Sequence, residues 1–311
     1  MFLDWNCVRS SLFAEDSDDW LAILRIGLGV QVAAYCISLR SSWEFLLSNT
    51  GSRLIGREVS EAYTTIQSPW IPKVGWILTG AEKLQISEPT ALFVIWIVLL
   101  LAALCLIAGL FCRPAAVLCW LLHLCVSKSG GLVSYGVDNF MTIGLFYLML
   151  SPLPDHRALD ALIWRSRPPR PALLRFFRRV LQIHLCIIYF FGGVAKALGS
   201  GWWDGTNLWR ALTRPPFDVF SPETIATWQA LLPALGICVW VIEIAYPVLI
   251  WPNKTRLIWL TLICTMHLGI GFAMGMHLFG VVMIVLNVAA FGPAPPGAKT
   301  AAKVAQPLPA N

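Results

Sequence analysis

The chain has 311 residues, of which 57% are hydrophobic and 13% are charged, and it carries a net charge of +6. Soluble domains have about twice that charged fraction, and the apolar residues here form runs that approach the ~20 residues needed to cross a bilayer. The composition therefore excludes an ordinary soluble domain and predicts an all-α fold, a polytopic membrane helix bundle surrounded by lipid. Because the basic residues lie between the apolar runs, we expect no nucleic-acid partner.

The N-terminal segment, 1–19, is polar and acidic and lacks the basic start, apolar middle and cleavage site of a signal peptide. We therefore expect the first span to remain in the protein as an uncleaved membrane anchor, and the N-terminal segment to be cytoplasmic. Residues 39–90 are too polar to span and rich in tryptophan and proline, which favours external, interfacial helices. Carboxylates stabilise a helix N-terminus, and three precede the first span: Asp16, Asp18 and Asp19.

About eight transmembrane helices are predicted from the apolar runs, at 20–38, 91–112, 114–127, 138–153, 180–198, 234–251, 257–273 and 276–292. Arg113-Pro114 alone separates the second from the third. The tail, 293–311, is rich in proline and alanine and is predicted to be a disordered cytoplasmic segment. Nine cysteines include no C-x-x-C pair, so we expect neither a disulfide framework nor a metal site.

The orientation of the bundle is predicted from the arginines between the fourth and fifth spans. Clusters of basic residues in short loops mark the cytoplasmic side of a membrane protein, and this loop contains seven: Arg157, Arg165, Arg167, Arg170, Arg175, Arg178 and Arg179. With that loop in the cytoplasm, both termini are cytoplasmic as well. The end of the fifth span and the starts of the fourth and eighth spans then lie at the external face.

Polar residues collect at that external face. Each polar group inside a span costs roughly 2.5–3.5 kcal/mol on insertion scales, so such a grouping is a candidate site. Its members are Lys196, Trp202, Trp203, Asp204, His267, His277, Asp138 and Asn139. Low-dielectric surroundings favour the neutral form of an amine, and a neutral amine is a competent general base. We therefore predict Lys196 as a base and His267 as a donor to a developing oxyanion.

Most of these residues also have an ordinary structural interpretation. Lys196 is placed to reach the headgroups, and Trp202 and Trp203 are typical of an aromatic belt. Asp204 is placed to cap a short helix, and His267 to form an interhelical hydrogen bond. Neither charge of a buried pair is stable alone, so we predict that Arg25 and Glu243, which both lie within spans, form an ion pair. His123 and His184 are interpreted as packing residues.

Three segments carry a resemblance to a known family: YFFGGVAKALGSGWWDGTNLW (189–209), YGVDNFMTIGLFYLMLSP (135–152) and HLGIGFAMGMHLFGVVMIVLN (267–287). They resemble the membrane domain of vitamin K-dependent gamma-carboxylase, the horizontally transferred transmembrane (HTTM) domain. The resemblance covers about 20–292. A helix that ends in Gly-Val-x-Lys and is followed by a Trp-Asp-Gly turn is its most specific part.

The resemblance implies a bacterial inner-membrane protein with a carboxylase- or epoxidase-like site. Lys196 would act as the base toward a quinol similar to vitamin K hydroquinone, with His267 beside it. Trp202, Trp203 and Asp204 would cover the cofactor, and Asp138, Asn139 and His277 would complete its site. Stand-alone HTTM proteins also resemble membrane proteins that mature a secreted peptide toxin. A non-enzymatic role in maturation or export of a secreted peptide therefore stays open beside the enzyme.

Overall fold

The computed structural model describes residues 17–49, 56–130, 134–164 and 170–293, and within these ranges the regular structure is entirely helical. Eight described helices have 15 or more residues, and we label them α1 to α8: Asp19–Ser38, Glu88–Ala108, Cys112–Ser129, Gly136–Leu150, Pro171–Ala197, Leu232–Leu249, Asn253–Ala273 and His277–Phe291. Each overlaps one predicted span. The predicted all-α class is thus confirmed, while most of the N-terminal segment and nearly all of the tail lie outside the described residues.

Five described helices are long and apolar enough to cross a membrane: α1, α2, α5, α6 with the turn that precedes it, and α7. The helices α4 and α8 are apolar but have only 15 residues each. The chain is therefore an integral membrane protein with several apolar helices. Of the eight predicted spans, five therefore contain a described helix with the length and hydropathy of a complete span.

Short helices connect the long ones. The segment predicted to hold interfacial helices contains Trp43–Leu47, Arg57–Gln67 and Val74–Lys83. Leu159–Ile163 lies between α4 and α5. Two α-helices and two 3₁₀ turns lie between α5 and α6: Ser200–Trp202, Thr206–Thr213, Pro222–Thr227 and Gln229–Leu231.

Two predicted boundaries move. The turn between α2 and α3 lies at Gly109 and Phe111, both with positive φ (75° and 47°), and not at Arg113-Pro114. Pro114 lies in the first turn of α3, where the missing N–H of proline costs nothing. The helix α5 begins at Pro171, nine residues before the predicted start, so part of the arginine-rich segment is helical.

The long helices pack as a bundle in which α5 lies along α6, α1 along α2 and α7 along α8. Glycine permits close backbone contact between α5 and α6 and between α7 and α8. A Cβ added to Gly193 of α5 would lie 2.8 Å from the backbone nitrogen of Ile244 in α6, and one added to Gly280 of α8 would lie 2.6 Å from the carbonyl oxygen of His267 in α7. These contacts fix where α5, α6 and α7 place their polar side chains.

The predicted ion pair between Arg25 and Glu243 is wrong. Arg25 Nε lies 2.6 Å from Asp155 Oδ2, and both side chains are fully buried. Glu243 pairs with Lys196 instead. The physical reason is topological: α1 packs on α2 and α8, whereas α6 packs on α5 and α7. Asp155 was overlooked because it follows the fourth predicted span and was assigned to the loop.

Candidate functional site

Lys196 is the last residue but one of α5, and its charge is paired inside the bundle. Its Nζ lies 2.6 Å from Oε2 of Glu243, the twelfth residue of α6. At 1.5 Å per residue, Glu243 is roughly 16 Å from the start of its helix. The Glu243 side chain is 8% exposed and that of Lys196 is 25% exposed. The pair is therefore deep within α6, with access only to its lysine.

Glycines of α5 leave the space in which the pair lies. A Cβ added to Gly192 would lie 3.4 Å from Glu243 Oε2 and 3.6 Å from Lys196 Nζ, so a larger side chain there would lie directly over both charged groups. Gly193 brings the two helix backbones together. Of the two glycines that precede Lys196, Gly193 thus permits the contact between α5 and α6, and Gly192 leaves the ion pair uncovered.

Trp202 covers Lys196 from the turn that follows α5. Its ring centroid lies 5.5 Å from Lys196 Nζ, a distance at which an aromatic face attracts a cation. The backbone of this turn lies against the start of α6, where a Cβ added to Gly236 would come within 2.3 Å of the Trp202 carbonyl oxygen. Trp202 is therefore held over the pair by a contact that requires glycine.

The two residues after Trp202 have other contacts. The Trp203 indole N–H donates to the Ala197 carbonyl oxygen at 2.8 Å, and its ring lies 4.8 Å from that of Trp240. Asp204 is exposed, and its Oδ1 accepts from the backbone N–H of Thr206 at 2.8 Å. Hydrogen bonds from Thr206 hold the pKa of Asp204 below its usual range. Their described contacts thus hold the turn together and cap the helix that follows it.

His267 belongs to a buried network that joins α5, α6, α7 and α8. Its Nε2 lies 2.8 Å from the Tyr189 hydroxyl. That hydroxyl accepts from Asn287 Nδ2 at 2.7 Å, and the Tyr246 hydroxyl donates to Asn287 Oδ1 at 2.7 Å. The Tyr189 hydroxyl is thus shared between Asn287 and His267. The other imidazole nitrogen, His267 Nδ1, is buried and has no hydrogen-bond partner among the described residues.

The sequence reasoning missed three members of this network: Tyr189, Tyr246 and Asn287. Asn287 could have been predicted from the sequence, because it lies in an apolar segment and a buried amide is costly unless it is hydrogen-bonded. The network and the ion pair are neighbours, since Tyr246 follows Glu243 by three residues in α6 and its ring lies 4.4 Å from that of Tyr189. Lys196 and His267 thus lie in adjacent clusters and not in one hydrogen-bonded unit.

The remaining predicted site residues lie elsewhere. Asp138 is buried at the start of α4, where one of its oxygens accepts from the backbone N–H of Tyr135 at 3.0 Å. Asn139, beside it, is exposed, and so is His277 at the start of α8. The contacts described for these three residues do not include Lys196 or Glu243, so the predicted group is divided between two parts of the bundle.

The two histidines interpreted as packing residues both have polar partners. His123 Nδ1 lies 3.1 Å from the Thr142 hydroxyl, and His184 Nδ1 lies 2.8 Å from that of Tyr147. Neither partner is adjacent in sequence, which is why the pattern alone did not reveal it. Within the described ranges, no group of three or more His, Cys, Asp or Glu side chains is arranged to hold a metal ion.

These features define an all-α integral membrane protein with a buried lysine–glutamate pair, covered by a tryptophan, between two of its long helices. The model of the HTTM domain family matches residues 55–293, most of the chain, and the chain therefore belongs to that family. The match begins after α1. Comparison with curated proteins and with solved structures gives no match.

Proposed function

We propose that this chain is an eight-span inner-membrane HTTM enzyme with cytoplasmic termini, and that the Lys196–Glu243 pair is the proton-exchanging centre of a quinol-linked, carboxylase- or epoxidase-like site. The observation that carries the proposal is the unequal exposure of the pair: Glu243 is enclosed, whereas a quarter of the Lys196 side chain is open. This opening leaves the lysine within reach of a ligand while its counter-charge stays enclosed.

The residues around the pair fit a quinol. Gly192 leaves space over both charged groups, and Trp202 provides an aromatic wall. The unpartnered Nδ1 of His267 is a buried polar atom in the neighbouring cluster. An amphipathic ring entering from the lipid would find a charged pair and an aromatic surface beside it.

The ion pair changes the role predicted for Lys196. A carboxylate at 2.6 Å stabilises the ammonium form, which cannot accept a proton. A low-dielectric interior, however, disfavours both charges and so favours the neutral form of the pair. Transfer of a proton from Lys196 to Glu243 leaves a neutral amine, so the base is the pair and not the lysine alone. A bound quinol would supply the hydroxyl whose proton Lys196 removes and the electrons for reaction with oxygen.

Substitution of Lys196 tests this proposal. A lysine that only balances Glu243 is replaceable by arginine, whereas a guanidinium does not release its proton near neutral pH. We therefore expect Lys196→Arg to insert and fold as the wild type does, yet to fail as completely as Lys196→Ala in complementing a deletion of the gene. Lys128, at the end of another long helix, provides the matched control, and Lys128→Arg should complement fully.

A direct assay separates the enzyme from the alternative. Protein in nanodiscs is supplied with a naphthohydroquinone under air, and hydroquinone consumption is compared between wild type, Lys196→Arg and Glu243→Gln. The proposal requires that the wild type consume the hydroquinone and that neither variant do so. Complementation by Lys196→Arg would contradict it, as would consumption that does not depend on Lys196. Consumption no faster than in empty nanodiscs would favour the non-enzymatic role in maturation or export of a secreted peptide.

A further inference from the structure

Three arginines lie together at the end of the bundle away from Lys196, where α5 and α7 begin and α6 and α8 end. Arg178 and Arg179 lie in the third turn of α5, and Arg256 lies in the first turn of α7. We call these three residues the arginine cluster. They lie at the end of the bundle that the sequence predicts to be cytoplasmic.

Trp251, in the turn between α6 and α7, joins two members of the cluster. The Arg179 guanidinium lies 4.7 Å from the centroid of the Trp251 ring, a distance at which an aromatic face attracts a cation. Arg256 Nη2 donates to the Trp251 carbonyl oxygen at 2.7 Å. One residue thus holds an arginine of α5 by its ring and an arginine of α7 by its backbone.

The end of α8 holds the third member beside the other two. Arg178 donates from Nε to the Ala290 carbonyl oxygen at 3.0 Å, and from Nη2 to that of Gly292 at 3.1 Å. Phe291, between these two residues, has its ring 5.3 Å from that of Trp251. The contact of Phe291 with Trp251 therefore brings all three guanidinium groups to one end of the interface between α5, α7 and α8.

The segments that form this end are basic and contain no acidic residue. The sequence has no Asp or Glu between Asp160 and Asp204, and none after Glu243. Backbone carbonyls orient a guanidinium but do not neutralise its charge, and like charges held close together repel. Arg256 is partly exposed, and its described hydrogen bond uses Nη2, which leaves Nη1 available to a ligand. The cluster is thus arranged to receive an anion.

The surface beside the cluster is apolar and open. Leu257 and Ile258, which follow Arg256 in α7, are 64% and 58% exposed, and Val248, near the end of α6, is 67% exposed. In a membrane protein such surface lies against acyl chains, and tryptophans such as Trp251 are typical of the level of the headgroups. A soluble anion would use the guanidinium groups alone, whereas a lipid would use both the charged and the apolar surface.

We propose that the arginine cluster binds the phosphate group of an anionic phospholipid, whose acyl chains lie along α6 and α7. Basic pockets between membrane helices are suited to such headgroups, and the planar guanidinium matches the geometry of phosphate oxygens. The site shares no residue with the Lys196–Glu243 pair. It therefore does not depend on the proposed function of that pair.

Binding of two phospholipids to the full chain tests the proposal. The protein is purified in a neutral detergent, and native mass spectrometry counts the lipids retained as phosphatidylglycerol or phosphatidylcholine with the same acyl chains is titrated. Both lipids carry a phosphate, but the choline ammonium cancels its charge. We expect one phosphatidylglycerol to bind about tenfold more tightly than phosphatidylcholine, because a net negative charge is attracted to the cluster.

Two matched substitutions locate the bound lipid. Arg256→Gln should weaken the binding of phosphatidylglycerol about tenfold, because it removes a charge-assisted hydrogen bond. Arg113, at the start of α3, is likewise held by carbonyl oxygens, those of Met149 at 3.1 Å and Ser151 at 3.0 Å, but lies outside the cluster. Arg113→Gln should therefore leave binding unchanged. Thermal unfolding confirms that each variant is folded, and Arg179→Gln repeats the test if Arg256→Gln is unstable.

Inorganic phosphate distinguishes a lipid from a soluble anion. Added to the complex with phosphatidylglycerol, it should displace no more lipid than chloride does at the same ionic strength. Specific displacement would assign the cluster to soluble phosphate and overturn the lipid site. Equal affinity for the two lipids would overturn the recognition of an anion. Equal weakening by Arg113→Gln and Arg256→Gln would show attraction by diffuse charge and overturn the location.

Discussion

The ion pair between Arg25 and Asp155 offers a quantitative test of how the bundle is held together where α2 turns into α3. Arg25 Nε and Nη2 lie 2.6 Å and 3.2 Å from the two Asp155 oxygens. Its Nη1 donates to the carbonyl oxygens of Leu106 and Ile107, which end α2. Both charged side chains are fully buried. One guanidinium therefore links α1, the end of α2 and the segment after α4.

Removal of either partner should be strongly destabilising. Asp155→Asn leaves a buried guanidinium without a counter-charge, and breaking such a pair costs roughly 3–5 kcal/mol. Arg25→Met should cost a similar amount, and it also deprives the Leu106 and Ile107 carbonyls of a donor. The double variant removes both charges, so its loss should be smaller than the sum of the single losses, by about 2–3 kcal/mol of coupling.

Unfolding in mixed micelles, followed by tryptophan fluorescence, measures these free energies. A half-exposed pair at the same end provides the comparison: Arg157 Nη2 lies 2.9 Å from Asp19 Oδ1, and the two side chains are 47% and 12% exposed. Because solvent screens the arginine, the same cycle there should show less coupling than the cycle of Arg25 and Asp155. Losses at Arg25 and Asp155 that add within about 0.5 kcal/mol would refute the pairing.

Two further predictions concern orientation and the turn over Lys196. Reporter fusions after Arg170 should read cytoplasmic and fusions after Asn207 external, because the basic loop sets the orientation; reversed signals at both would contradict the external site. Gly236→Ala should destabilise the protein by about 1–3 kcal/mol in the same unfolding assay, because its Cβ would lie 2.3 Å from the Trp202 carbonyl oxygen. Gly269→Ala, which meets nothing within 4 Å, is the control and should be neutral or slightly stabilising.

The helices were predictable because lipid imposes a simple rule on the sequence. A segment in hydrocarbon must satisfy its own backbone, so an apolar run of sufficient length becomes a helix. Each of the eight predicted runs overlaps one of the long helices. Helix boundaries were less predictable. The start of α5 depends on Pro171 and on arginines, and arginines occur equally in loops and in helices.

The candidate site was only partly predictable, because side-chain partners depend on which helices pack together. Lys196 and His267 stood out as polar residues in apolar surroundings, and the structure places them in adjacent clusters. Glu243 was noticed for the same reason but was given the wrong partner. The contact of Tyr189 with His267 crosses 78 positions in the sequence, and no local pattern marks a pairing of that kind.

The two buried ion pairs have the same separation, 2.6 Å, yet differ in what their cations can do. Arg25 is enclosed completely, its donors are engaged by a carboxylate and two backbone carbonyls, and a guanidinium does not lose its proton. Lys196 is partly open, has one distant carbonyl at 3.5 Å besides its carboxylate, and carries a proton that it can transfer. The first arrangement suits a permanent link between helices, and the second suits proton exchange with a ligand. Lys196→Arg would keep the positive charge beside Glu243 but replace the lysine with a group that does not lose its proton, as in the Arg25–Asp155 pair. That substitution therefore separates support of the fold from the proposed proton exchange.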